Sequence, residues 1–163
     1  MTFGILPITA TRLELGNDQI NRIPEAGIER RALEALQANK NLVILGTFGS
    51  GKTSLCNRIA TFESPSLPPR TAVPVRVIAR APDCHTGLLM TIGKQRLTEA
   101  IEGRRILLLD GLDEIALAPG VTHKDFFNSL IAAVGPRWLF TSRPGHFRTE
   151  LASGSEQINS LGL

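Results

Sequence analysis

Eight consecutive residues carry the clearest chemical signal in this chain: Gly46-Thr47-Phe48-Gly49-Ser50-Gly51-Lys52-Thr53. They match G-x-x-x-x-G-K-[ST] in full, a spacing suited to gripping a polyphosphate. Phosphate oxygens need many donors. The main-chain N–H groups of a loop supply them once glycines let the backbone turn tightly and approach closely. A helix starting near Gly51 would aim its free amides and positive dipole end at the same anion. The dipole contributes only about 0.3–2 kcal/mol, so the Lys52 ammonium must add charge at the β- and γ-phosphates. The Thr53 hydroxyl is suited to ligate Mg2+.

A second cluster is acidic. The apolar run Ile106-Leu107-Leu108-Leu109 ends in Asp110, and Gly111-Leu112-Asp113-Glu114 follows. Three carboxylates this close repel one another unless a cation or hydrogen bonds answer them. Mg2+ on a triphosphate is one answer, held by Asp110, through water, opposite Thr53. Asp113 or Glu114 would then orient the attacking water as general base. Each acid also has a purely structural alternative: Asp110 as a helix N-cap, Asp113 and Glu114 as acids in the first turn of a helix.

These residues need elements to hold them. Asn41 to Leu45 is a short, continuous apolar run stopping at Gly46, as a strand buried on both faces would. Ile106–Asp110 and Trp138 to Ser142 read the same way. Helical periodicity is expected over 24–40, with Ile28, Leu33 and Leu36 on one face. It recurs from Gly51 with Leu55, Ile59 and Phe62 inward, over 91–102 with Leu97, Ala100 and Ile101 inward, and from Thr122 with Phe126, Leu130 and Val134 inward. Thr122 and Asp125 have the spacing of a capping box. Residues 72–80 alternate at Val73, Val75 and Val77, but Pro74 cannot donate a ladder hydrogen bond, so this strand belongs at a sheet edge. Residues 1–19 show no clear period, and 158–163 could begin a last strand.

Strands alternating with helices predict an α/β fold, a three-layer α-β-α arrangement around a mostly parallel sheet. In such sheets ligands sit at the carboxyl ends of the strands. Gly46, Asp110 and Thr141-Ser142 would meet there.

Bulk composition bounds the rest. A chain of 163 residues, 42% hydrophobic and 20% charged, is expected to form one domain. The net charge of +3 is spread out, with no basic block suggesting a nucleic-acid arm or membrane patch. No stretch approaches 18 apolar residues, so no membrane span is expected. Two cysteines make no disulfide framework, and Asp83-Cys84-His85 lacks a second ligand pair at zinc spacing. A reducing, cytoplasmic setting is expected. His85, His123 and His146 show no catalytic spacing.

Taken together, the motifs resemble those of the NACHT group of STAND NTPases. Residues 107–114, Leu-Leu-Leu-Asp-Gly-Leu-Asp-Glu, resemble the group's extended acidic motif, with a small residue after the magnesium aspartate and an acidic pair beyond. Leu139-Phe140-Thr141-Ser142-Arg143-Pro144 resembles its sensor motif, and residues 45–55 fit its phosphate-binding loop, Ser54 included. The motifs keep the family order over roughly residues 28–163. The resemblance implies ATP as the nucleotide, with Mg2+, and Arg143 contacting the γ-phosphate. It implies a nucleotide-dependent signalling or oligomerisation switch, with self-association or further domains of a larger protein as partners. Residues 1–27 are then an N-terminal segment. The family's lid, lid histidine and sensor repeats have no counterpart in the sequence, so a core truncated before them is expected, with slow or undetectable hydrolysis in isolation.

The alternatives are an active AAA-like ATPase and a non-catalytic interaction module that keeps nucleotide structurally. A GTPase fits less well, because Asn39-Lys40-Asn41-Leu42 and Thr122-His123-Lys124-Asp125 both fail the guanine-reading pattern [NT]-K-x-D. A small-molecule kinase fits least, because an acidic pair suits water activation.

Overall fold

Five strands form one sheet in the computed structural model, which describes residues 3–7, 28–78, 81–134 and 138–146. They are β1 (Phe3–Pro7), β2 (Asn41–Leu45), β3 (Arg70–Pro74), β4 (Ile106–Asp110) and β5 (Trp138–Ser142). The order across the sheet is β1-β2-β5-β4-β3, and every neighbouring pair is parallel. Parallel neighbours cannot be joined by tight turns, so the chain must cross over between them. Among the described residues, six α-helical segments lie between or after the strands, α1 (Ile28–Gln37), α2 (Lys52–Thr61), α3 (Val75–Ile78), α4 (Cys84–Ile101), α5 (His123–Val134) and α6 (Pro144–His146), and a 3-10 helix, Leu112–Glu114, follows β4.

The strands are apolar because they are covered on both faces. Along β2, successive side chains alternate between two separate cores, as the pleat requires. Leu42 and Ile44 join Leu33 and Leu36 of α1 and Leu55 and Ile59 of α2. Val43 and Leu45 join Val75, Leu88 and Leu97 of α3 and α4, and Leu130 and Val134 of α5. Trp138, Phe140 and Phe127 fill that second core as an aromatic cluster, with the Trp138 and Phe140 ring centroids 4.2 Å apart. The α/β class and the parallel sheet expected from the sequence are therefore present.

Several local expectations change. The edge strand carries Pro74 as anticipated, but it runs Arg70–Pro74 rather than 72–80. After the proline the chain turns into α3, which buries Val75 and Ile78 at helical spacing and leaves Val77 exposed. Proline ends the ladder because it has no N–H to give β4. Helix α4 starts at Cys84, earlier than expected, capped by Asp83 and interrupted at Gly93. Phe62 and Ile101 lie at helix ends and are exposed. In α5 it is Phe127, not Phe126, that is buried with Leu130 and Val134. The capping box is formed: Asp125 N–H donates to Thr122 Oγ1 at 3.1 Å, and Thr122 N–H reaches Asp125 Oδ2 at 3.4 Å. Strand β1, in a stretch with no readable period, pairs with β2 from Phe3↔Asn41 to Pro7↔Leu45. The expected strand at 158–163 and the start of the helix at 24–27 lie outside the described residues. Among the described residues, no helix is long and apolar enough to cross a membrane.

Candidate functional site

Parallel strands bring all their carboxyl ends to one rim. Leu45 pairs with Ser142, and Gly46 N–H continues the ladder to Ser142 O at 3.1 Å. Strand β5 thus separates the glycine loop after β2 from the acidic turn after β4, with Thr141 and Ser142 between them.

The loop runs from Gly46 into α2, whose first internal hydrogen bond is Leu55 N–H to Gly51 O at 2.9 Å. The amides of Lys52, Thr53 and Ser54 precede that bond and belong to the helix's unsatisfied first turn. A side chain at Gly46 would crowd the loop: its Cβ would stand 2.3 Å from Ser50 Oγ, which would have to rotate away, and 3.2 Å from Lys52 Cγ. That Ser50 hydroxyl is buried and has no hydrogen-bond partner. A buried hydroxyl without a partner costs free energy, and an oxygen-rich ligand would relieve it. Lys52 Nζ donates to Gly46 O at 2.9 Å and Thr47 O at 3.1 Å, so the ammonium lies against the loop's own carbonyls. Thr47, Phe48 and Gly49 form the exposed tip, with Phe48 almost fully in solvent.

Across β5, Thr53 Oγ1 donates to Asp110 Oδ2 at 2.6 Å, joining residues 57 apart in sequence. The other oxygen, Asp110 Oδ1, accepts from Thr141 Oγ1 at 2.6 Å. Thr141 is fully buried, and its hydroxyl oxygen in turn accepts Gly111 N–H at 2.8 Å. Gly111 adopts φ 80°, which turns the chain from β4 into a short 3-10 helix, Leu112–Glu114. Leu112 is buried and anchors that helix in the core. The charge of Asp110 reaches behind the site: burial first, and then Asp110, push the Cys56 thiol of α2 far above its ordinary range.

The remaining acids meet arginines. Asp113 accepts Arg143 N–H at Oδ1, 3.1 Å, and Arg143 Nε at Oδ2, 2.6 Å. Glu114 pairs with Arg76 of α3 at 3.1 Å, a half-exposed contact. In comparisons with protein-family models, with curated proteins and with solved structures, nothing matched this chain. The arrangement must therefore be read from its own chemistry.

Mg2+ suits the donor set. The ion takes near-octahedral oxygen ligands and is commonly held by one or two carboxylates plus substrate phosphates and water. Thr53 and Asp110 offer a hydroxyl and a carboxylate at one point. Among the described residues, no group of three or more His, Cys, Asp and Glu side chains forms a self-sufficient metal cage, so phosphate oxygens would have to complete the shell. Of the residues singled out from sequence, Gly46 to Ser54, Asp110, Asp113, Glu114 and Arg143 all lie on or beside this rim. One residue already expected on the rim and one further participant complete the arrangement. Thr141 is the bridge between Asp110 and Gly111, and its place at a strand's carboxyl end was the signal for it. Arg76 had no such signal, because its segment reads as strand.

Proposed function

We propose that the chain binds a nucleoside triphosphate as its Mg2+ complex, and that it works as an ATP-dependent switch of the NACHT type. The reading rests on one contact: Thr53 Oγ1 against Asp110 Oδ2 at 2.6 Å, beside the first turn of α2. A hydroxyl from the loop helix and a carboxylate from a distant strand converge where a metal bound to β- and γ-phosphate oxygens would sit. The glycine loop takes the phosphates, and Lys52 exchanges its two loop carbonyls for phosphate oxygens. Arg143 reads the γ-phosphate. ATP rather than GTP follows from the motif resemblance and from the absence of the guanine-reading pattern.

Switching is favoured over rapid turnover by the acids' partners. Asp113 and Glu114 each carry an arginine in this structure. A carboxylate already accepting donors is a poor base for water, so hydrolysis by this chain is expected to be slow. The output of the switch is self-association or a changed contact with further domains.

The test is titration calorimetry and thermal melting with MgATPγS, MgADP and MgGTPγS. A ligand present at 1,000 times its Kd stabilises the folded state by about 4.1 kcal/mol. The expected result is ATP-selective stabilisation that disappears in Lys52→Ala, while the melting temperature of the ligand-free variant stays close to that of the wild type. No association of folded protein with any Mg2+ nucleotide at millimolar concentration refutes the reading. Equal stabilisation by GTPγS refutes the base assignment alone.

A further inference from the structure

Asp113 spends both carboxylate oxygens on a single residue. Oδ1 accepts the Arg143 main-chain N–H and Oδ2 accepts the side-chain Nε. The Asp113 side chain is 4% exposed, whereas that of Arg143 is 52% exposed. One carboxylate therefore fixes the backbone and the root of the guanidinium together, in a place largely sealed from water. The same arrangement suits proton abstraction badly, since both oxygens already accept.

The mount under Asp113 is tied down on both sides. Glu114 N–H bonds Gly111 O at 2.9 Å, and Gly111 N–H bonds the Thr141 hydroxyl of β5 at 2.8 Å. Leu112, next to Asp113, is buried at 1% exposure. Among the described residues, nothing comparable holds the far end of the arginine. A guanidinium carries five N–H donors, and Nε supplies only one. The four on the terminal nitrogens make no hydrogen bond among the described residues. That outer edge is a planar fork whose spacing matches two phosphate oxygens.

We propose that Asp113 is a positioning residue: it grips Arg143 by Nε and by the main chain, so that the outer edge of the guanidinium is presented to the terminal phosphate of a bound nucleoside triphosphate. This rests on the nucleotide-binding reading above. It replaces the general-base role that the sequence suggested for Asp113.

The experiment measures Kd for MgATPγS and MgADP by calorimetry in the wild type, Asp113→Asn, Asp113→Ala, Arg143→Ala and the Asp113→Ala/Arg143→Ala double variant. The isosteric Asp113→Asn keeps the volume and one acceptor should alanine unfold the turn. Losing one well-placed, charge-assisted contact corresponds to about a tenfold change in affinity. The preference for ATPγS over ADP is therefore expected to fall by about that factor in either Asp113 variant, towards the value for Arg143→Ala, while MgADP affinity is retained. The double variant should lose nothing beyond Arg143→Ala alone. A merely structural role would weaken both nucleotides together, and that outcome overturns the proposal. So does an Asp113→Asn protein that keeps the full wild-type preference, or loses hydrolysis without losing that preference. A wild type that binds both nucleotides equally also overturns it. A wild type that binds neither defeats the nucleotide reading itself and the positioning role with it, which separates the two failures.

Discussion

Replacing Thr141 by valine would remove one oxygen from the molecule and keep its shape. Two hydrogen bonds depend on that oxygen: the donation to Asp110 Oδ1 at 2.6 Å and the acceptance of Gly111 N–H at 2.8 Å. The residue is 0% exposed, so water cannot take over either bond. Leaving a buried N–H unsatisfied costs about 1–3 kcal/mol, and a hydrogen bond to a charged group contributes about 1.5–3 kcal/mol. The valine methyl recovers some van der Waals contact, so a net loss of about 3 kcal/mol is expected. For a chain of this length each kcal/mol lowers the melting temperature by about 2–4 °C, which gives a drop of about 6–12 °C. Urea unfolding followed by the fluorescence of Trp138, the chain's single tryptophan, measures it directly. The midpoint should fall with the slope unchanged, because the exposed area on unfolding is the same. Thr141→Ser, which keeps the hydroxyl, should recover most of the stability. If Thr141→Val unfolds within about 0.5 kcal/mol of the wild type, as an ordinary surface substitution would, the bridge is not holding the two strand ends together and the account of the rim fails.

Two further outcomes follow from the titrating groups. The side-chain and main-chain hydrogen bonds of Thr122 hold the Asp125 carboxyl below its ordinary value. A depressed carboxylate contributes stability above its unfolded pKa, near about 3.9, and loses it as the pH falls through the folded value. Asp125→Ala should therefore destabilise the protein at neutral pH, and the gap to the wild type should close on acidification in parallel melts. Cys56 is buried with its thiol pushed up by burial and by Asp110. At pH 7–8 it should resist thiol reagents in the folded protein and react fully in denaturant, as mass spectrometry would record. Rapid labelling of Cys56 in the native state would contradict its burial in the core.

Sequence alone disclosed the parts whose cause is local. A continuous apolar run is buried on both faces, so β2, β4 and β5 could be read directly, and with them the carboxyl-terminal rim. The glycine loop was equally plain, because Gly49 and Gly51 take positive φ, 72° and 86°, a conformation that favours glycine whatever the tertiary fold. What escaped was decided by neighbours far away in the chain. Strand β1 has no period of its own and owes its place to the hydrogen bonds that β2 offers. The valines at 73, 75 and 77 alternate like a strand, yet Pro74 ends the ladder and the core takes Val75 and Ile78 instead. Asp113 beside Asp110 looks like a second catalytic acid; only the approach of β5 reveals that an arginine occupies it. Thr141 was visible as a polar residue at a strand end, but its double bond to Asp110 and Gly111 depends on how closely β4 and β5 approach.

The seat of β1 has a practical consequence for anyone shortening the chain. A protein beginning at Ile28 would keep every residue of the rim, and its glycine loop would be intact. It would also strip the outermost rail from the sheet and leave those main-chain amides and carbonyls of Asn41 to Leu45 that face β1 without their partner, while the others stay paired to β5. That stretch holds neither charge nor proline, the two features that ordinarily discourage strands from recruiting strangers. Such a shortened protein is expected to clump through β2, so its failure in a nucleotide-binding assay would say nothing about the loop.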